Sequence, residues 1–228
     1  MFGANPKERA YLAPFLAFFI ALALGSVVAH FGDGRAFWVF SQPRYWVCPL
    51  QTMLCAALLI RGWPQFELQP PRRPLFTIGI GVLALLLWVA PQAWLGAPRR
   101  IDGFNPAFFG STGWPFAVNL GLRLLRLIVV VPLLEEIFWR GFLLRYLIEE
   151  DFARVPVGTF SWLSFGVVTV GFCFEHSTPD WPAAILTGAL YNLVAYRTRS
   201  LSSCVLVHAV TNALLGAYVL YTRQWGFW

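Results

Sequence analysis

From Leu75 to Leu95 not one residue is charged. At ~1.5 Å per residue such a run is long enough to cross a ~30 Å hydrocarbon core as a helix. Inside lipid the backbone must satisfy its own hydrogen bonds, so a single apolar run has little choice but to be helical. Further apolar runs recur at about residues 10–30, 45–60, 159–174, 183–196 and 202–221, and a longer one covers about 116–150. The pattern predicts an all-α, polytopic transmembrane helix bundle of about seven to eight spans. Composition agrees: 12% of the residues are charged, against about 25% in soluble domains. The 21 Phe, 11 Trp and 7 Tyr suit lipid-facing surface and interfacial aromatic belts.

The first run follows Lys7 and Arg9. It is long for the core of a signal peptide and no small-x-small cleavage site follows it, so it reads as a retained span. With the N-terminus cytoplasmic, Lys7, Arg9, Arg61, Arg72, Arg73, Arg145, Arg154, Arg197 and Arg199 fall on the cytoplasmic side. Arg35, Arg44, Arg99, Arg100 and Arg223 fall on the other. That bias predicts an N-in topology. The net charge of +6 is scattered through loops, where it serves topology and contact with membrane lipids rather than nucleic acid. The loop up to Arg44, with Trp38 and Phe40, is expected to be an interfacial hairpin. The Gly- and Pro-rich stretch through Phe104, Phe108, Phe109 and Trp114 is expected in the headgroup region. The four cysteines show no CxxC spacing and lie in apolar runs, which predicts small packing residues rather than a disulfide framework.

Three polar clusters interrupt the apolar runs: Glu135-Glu136 with Arg140, then His176, then His208 with Asn212. An ionisable group at membrane depth costs at least ~2.5–3.5 kcal/mol, which makes it a candidate functional residue by default. Glu136 and Arg140 are four apart and share a helical face, so they are expected to pair. Glu135 is rotated about 100° away and is left for chemistry. A purely structural ion pair is the other reading of these three residues, and each histidine alone is accounted for by a bond to a backbone carbonyl. All of them together, on three helices of one half of the chain, exceed what helix–helix adhesion requires. Pro132, one turn before Glu135, is expected to kink its long run.

This set is sufficient for water-driven amide hydrolysis. A carboxylate in an apolar pocket suits a general base. One imidazole can hold the water, while a second imidazole and an amide can donate to a developing oxyanion. No Ser–His or Cys–His pair is evident. Glu135, His176 and His208 are also legitimate zinc ligands. Yet no helix carries H-E-x-x-H, and a zinc hydrolase would need a separate base that Glu136 could supply only by giving up Arg140. No metal and no cofactor are therefore expected, with a zinc-dependent intramembrane protease as the less favoured alternative.

Glu135-Glu136-x-x-x-Arg140, Phe172-x-x-x-His176 and His208-x-x-x-Asn212 resemble, in order and spacing, the motifs of the CPBP family of intramembrane glutamic endopeptidases. That family contains the type II CAAX prenyl endopeptidases and the Abi, or bacteriocin-immunity, proteins. Leu186 to Tyr191, with Arg197 to Leu201, is similar to the family's third conserved region. The resemblance covers roughly 116–220, so 1–114 reads as a divergent N-terminal transmembrane region and 115–228 as the catalytic core, within one structural domain. It implies Glu135 as the water-activating base assisted by His176, Glu136, Arg140 and Phe172 as shaping the site, and His208 and Asn212 as the oxyanion pair. It also implies a site opening within the membrane toward the cytosol. The short chain further resembles bacterial CAAX-protease-related proteins associated with exosortase systems. That implies a bacterial inner membrane, and a membrane protein or lipidated peptide as substrate rather than a prenylated CAAX protein. A non-proteolytic membrane interaction or immunity protein is the alternative function. One tension stands: the pattern places His176 at the outer end of its span and His208 near the inner end of its own.

Overall fold

The computed structural model describes residues 5–32 and 37–228. These fold entirely into helices and loops, with no strand among the described residues. Seven main helices follow one another: α1 (Pro6–Gly32), α2 (Arg44–Gly62), α3 (Pro74–Ala93), α4 (Gly113–Tyr146), α5 (Trp162–Cys173), α6 (Trp181–Thr198) and α7 (Leu201–Thr222). Five of them, α1 to α4 and α7, are long and apolar enough to cross a membrane. The chain is an integral membrane protein. Lys7 and Arg9 lie inside the first turns of α1 rather than before it. Arg35 and the tip of the expected hairpin lie outside the described residues; Trp38–Ser41 forms a single helical turn beyond it.

The long α4 is the axis of the bundle, packed by α1 on one side and α7 on the other. Its 34 residues would reach ~50 Å, more than the hydrocarbon core is thick. Pro132 is accommodated less by a sharp kink than by wider turns: Arg126–Val130 and Ile137–Leu143 are π-helical. Such segments re-aim side chains and are common at functional positions. A cluster of Tyr11, Phe18, Cys55, Leu59, Leu134, Ile137 and Phe142 fastens α1 and α2 to α4. A second, of Ala84, Trp139, Phe172, Tyr191, Val194 and Val207, joins α3, α4, α5, α6 and α7. The α3–α7 contact is a close one: a Cβ at Gly81 would lie 3.0 Å from the Val207 carbonyl oxygen, and Thr211 Oγ1 donates to the Gly81 carbonyl at 3.1 Å.

The bundle ends are tied differently. At the Pro6 end, Glu67 bridges Lys7 (2.8 Å) and Arg145 (3.2 Å). At the other end, Tyr45 stacks on Phe108 at 4.2 Å between ring centroids, and Arg100 pairs with Asp180 at 2.6 Å. Cys55, Cys173 and Cys204 are buried and Cys48 is half-buried, all with free thiols.

Helix α5 has only 12 residues, ~18 Å of helix. The turn at 174–180 follows it at the end of the bundle where Arg100 pairs with Asp180. The tension between the two histidines is resolved by packing: His176 in this turn and His208 of α7 line one cavity.

Candidate active site

The polar residues of α4 are buried to near completion. Glu136 and Arg140 are 0% exposed, Glu135 is 6% and His208 is 5%. Helical spacing sets up the first contact: Arg140 Nη1 donates to Glu136 Oε1 at 3.0 Å. The remaining guanidinium donors are taken by α6, where Nε donates to Asn192 Oδ1 at 3.0 Å and Nη2 to the Gly188 carbonyl at 3.0 Å. Asn192 is itself oriented by Thr169 of α5, to whose hydroxyl it donates at 3.1 Å. The Phe172 and Tyr191 rings lie 5.2 and 5.4 Å from the guanidinium carbon. A charge pair stripped of water is held only where its other donors are satisfied, and Arg140 meets that condition.

His208 Nδ1 lies 2.9 Å from the same Glu136 oxygen. An ion-paired carboxylate only accepts, so Nδ1 carries the proton and donates. The other ring nitrogen, Nε2, faces Glu135 Oε2 at 4.0 Å. In the turn after α5, His176 Nδ1 lies 3.0 Å from the Phe172 carbonyl. A carbonyl also only accepts, so the proton sits on Nδ1 and the Nε2 lone pair is free. Asn212, one turn after His208 on α7, donates from Nδ2 to the Leu127 carbonyl at 2.9 Å. Leu127 belongs to the first π segment, whose wider turn makes that carbonyl available to a side chain. The second N–H of Asn212 remains for another acceptor.

Glu135, Phe172, His176, His208 and Asn212 all line one cavity of about 150 Å³, with Trp88, Thr187, Tyr191, Leu215, Asp180 and Phe227. That is far more than the ~10–15 Å³ one water needs. The motif residues of three helices and one turn thus converge on a single pocket, while Glu136 and Arg140 stand behind it as its wall. From Glu135 and His208 the lining runs to Asp180, Leu215 and Phe227, toward the end of the bundle opposite Pro6. Among the described residues, no three His, Cys, Asp or Glu side chains are grouped to hold a metal ion.

Two participants escape the motif pattern. Asn192, which fixes Arg140, has no signature beyond being an amide in an apolar helix. Glu175 accepts a hydrogen bond from Trp139 Nε1 at 2.8 Å and sits beside His176. Its signal was present in the sequence, as a carboxylate at the mouth of a short turn.

The family model described as Rce1-like, type II CAAX prenyl endopeptidase, matches residues 117–214. That interval contains every one of Glu135, Glu136, Arg140, Phe172, His176, His208 and Asn212. No curated protein and no solved structure matches the chain.

Proposed function

We propose, from the match of residues 117–214 to the Rce1-like model of type II CAAX prenyl endopeptidases, that the chain is a glutamic-type intramembrane endopeptidase. The observation that carries the reading is the convergence of Glu135, His176, His208 and Asn212 on one cavity of about 150 Å³ beside a neutralised Glu136–Arg140 pair. The Glu136–Arg140 pair consumes the cation, so Glu135 is free to act as a base.

In this reading a water held between Glu135 and the His176 Nε2 lone pair attacks the scissile carbonyl carbon. As the C–O bond forms, one water proton passes to the Glu135 carboxylate and the carbonyl oxygen takes the negative charge. The free N–H of Asn212 donates to that oxygen, with His208 beside it on α7 as the second member of the oxyanion pair. Glu135 then hands its proton to the departing nitrogen as the C–N bond breaks, leaving a new carboxyl end and an amine. The substrate is a membrane protein or lipidated peptide, and the setting is a bacterial inner membrane. With the N-terminus cytoplasmic, the mouth near Asp180 and Phe227 would face away from the cytosol. That is opposite to what the family resemblance implies, so orientation and leaflet are one question.

The test is peptide-termini mass spectrometry on membranes carrying wild type or Glu135→Gln at matched abundance, followed by reconstitution with purified protein. New termini are expected with wild type alone, and the purified variant is expected to lose about 10²–10⁴-fold in rate, the usual worth of a general base. Cleavage undiminished in Glu135→Gln overturns the assignment.

A further inference from the structure

Helix α4 carries two further charges that the hydrolytic scheme leaves idle. Arg123 and Arg126 are three residues apart and line one small cavity against Cys48 and Thr52 of α2. Arg123 is only 8% exposed. Its contacts are the ring faces of Phe104 and Trp228, which give its N–H groups no directional acceptor. Arg126 has the Phe18 ring and the Cys48 sulfur, a weak acceptor at 3.4 Å. The Nε of each guanidinium is buried without a partner. No carboxylate lines the cavity; Asn119, one turn before Arg123 and also buried, adds an amide to its wall.

Two like charges with stranded donors are costly in an apolar surround. A bound anion removes both costs at once. The cavity holds about 10 Å³, room for one water-sized atom, so it admits a single oxygen of a larger group. The rest of that group has a place across Cys48, which also lines an open groove of about 190 Å³ between α1 and α2. Arg44, the first residue of α2, lies on that groove. So does Gln51, whose Nε2 donates to the Phe18 carbonyl at 2.6 Å while its Oε1 is buried and meets no donor. One cavity therefore calls for an anion, and the groove beside it calls for an O–H or N–H donor.

We propose that Arg123 and Arg126, with Arg44 at the rim, bind the phosphate of a phosphodiester headgroup whose hydroxyl or amine is accepted by Gln51 Oε1. A phosphate offers several oxygens to two guanidinium forks at once. The position favours a phospholipid as its source. Both α2 and α4 begin at the end of the bundle where Tyr45 stacks on Phe108 and Trp228 Nε1 donates to the Phe104 carbonyl, an aromatic belt of the kind found at headgroup depth. Leu22, Ala29 and Val47 give the groove an apolar wall for the start of an acyl chain. The site shares no lining residue with the cavity of Glu135. Its occupant takes no part in hydrolysis, and the proposal stands apart from the protease reading. In protein stripped of lipid, Arg123 keeps only its two ring faces.

The test uses the full chain, purified and stripped of lipid in a neutral detergent. It is titrated with phosphatidylglycerol, phosphatidylcholine, inorganic phosphate or chloride, and binding is read by native mass spectrometry and by the thermal unfolding midpoint. Wild type is expected to take up one phosphatidylglycerol and to unfold at a higher temperature. Phosphatidylcholine has the same phosphate and no headgroup donor, so it should bind about 10-fold more weakly, as should phosphatidylglycerol to Gln51→Leu. Arg123→Gln with Arg126→Gln should weaken phosphatidylglycerol by about 100-fold, roughly 10-fold for each charged hydrogen bond lost. Arg154→Gln, at an exposed arginine paired with Asp151, should bind as wild type does. Inorganic phosphate that raises the midpoint as far as the lipid does upholds the arginine site but assigns it to the free ion. The same rise with chloride at equal ionic strength overturns the proposal, as does a double variant that binds phosphatidylglycerol like wild type. If the double variant does not fold, Arg126→Gln alone decides by the same measure, and equal affinity of wild type for the two lipids overturns the role of Gln51.

Discussion

Helix α4 carries two charged clusters about three turns apart, and they are handled in opposite ways. At Glu135–Arg140, the single cation meets a carboxylate, an amide and a carbonyl, all at 3.0 Å. At Arg123 and Arg126, no described carboxylate forms a salt bridge with either guanidinium. Arg123 lies 5.1 Å from the Phe104 ring and 5.8 Å from that of Trp228. Arg126 lies 5.0 Å from the Phe18 ring and donates to the Cys48 thiol at 3.4 Å. Ring faces and sulfur are soft, weakly directional partners. A buried charge in a membrane helix therefore does not by itself mark a reaction centre. What distinguishes the first cluster is directional bonding that leaves one carboxylate unspent at the edge of a cavity.

The contrast can be broken by substitution. Arg140→Ala leaves the buried Glu136 with His208 as its one remaining described partner and should destabilise the fold by about 3–5 kcal/mol, read as a lowered unfolding midpoint in detergent, with cleavage lost. Asn212→Ala removes both the partner of the Leu127 carbonyl and the proposed oxyanion donor. It should cost about 1–3 kcal/mol of stability and about 10²–10³-fold in kcat. Arg123→Met gives up mainly ring-face attraction. It should change stability by about 2 kcal/mol or less and leave cleavage intact; a loss as large as that of Arg140→Ala would erase the distinction between the clusters.

A third cluster, at the Pro6 end, supplies the smallest effect. Burial pushes the Glu67 carboxyl up, but hydrogen bonds and charge from Lys7 and Arg145 outweigh it and hold the group below its usual value. A lowered carboxylate stabilises the fold above its unfolded value, ~4.3, and that stability is lost as pH falls through the folded one. Because the Glu67 side chain is 37% exposed, solvent screening limits the contribution to about 1 kcal/mol or less. Acid unfolding of Glu67→Gln should begin from a slightly less stable protein and lack that component.

How much of this could be read in the chain depends on sequence distance. The Glu136–Arg140 contact is one helical turn long, and charge inside an apolar run is rare, so spacing alone exposed it. The order of the three motifs did the same for the pocket. The partners that complete the site lie far away: Asn192 is 52 residues from Arg140, and Glu175 is 36 from Trp139. No periodicity encodes those meetings. The Nδ1 of His208 shares Glu136 with Arg140, a contact that only the crossing of α7 over α4 determines. The π turns around Pro132 were likewise hidden, since proline forecasts a disturbance without its form.

The shortness of α5 has a consequence beyond geometry. Its outward side chains Trp162, Leu163, Val167, Val170 and Phe174 are exposed, so lipid packs directly against a helix ~12 Å too short for a ~30 Å hydrocarbon core. A leaflet beside so short a helix would thin, or polar headgroups and water would sink toward the helix ends. A hydrolase inside a membrane needs water as a reactant, and here the bilayer itself would be dimpled where that reactant is consumed.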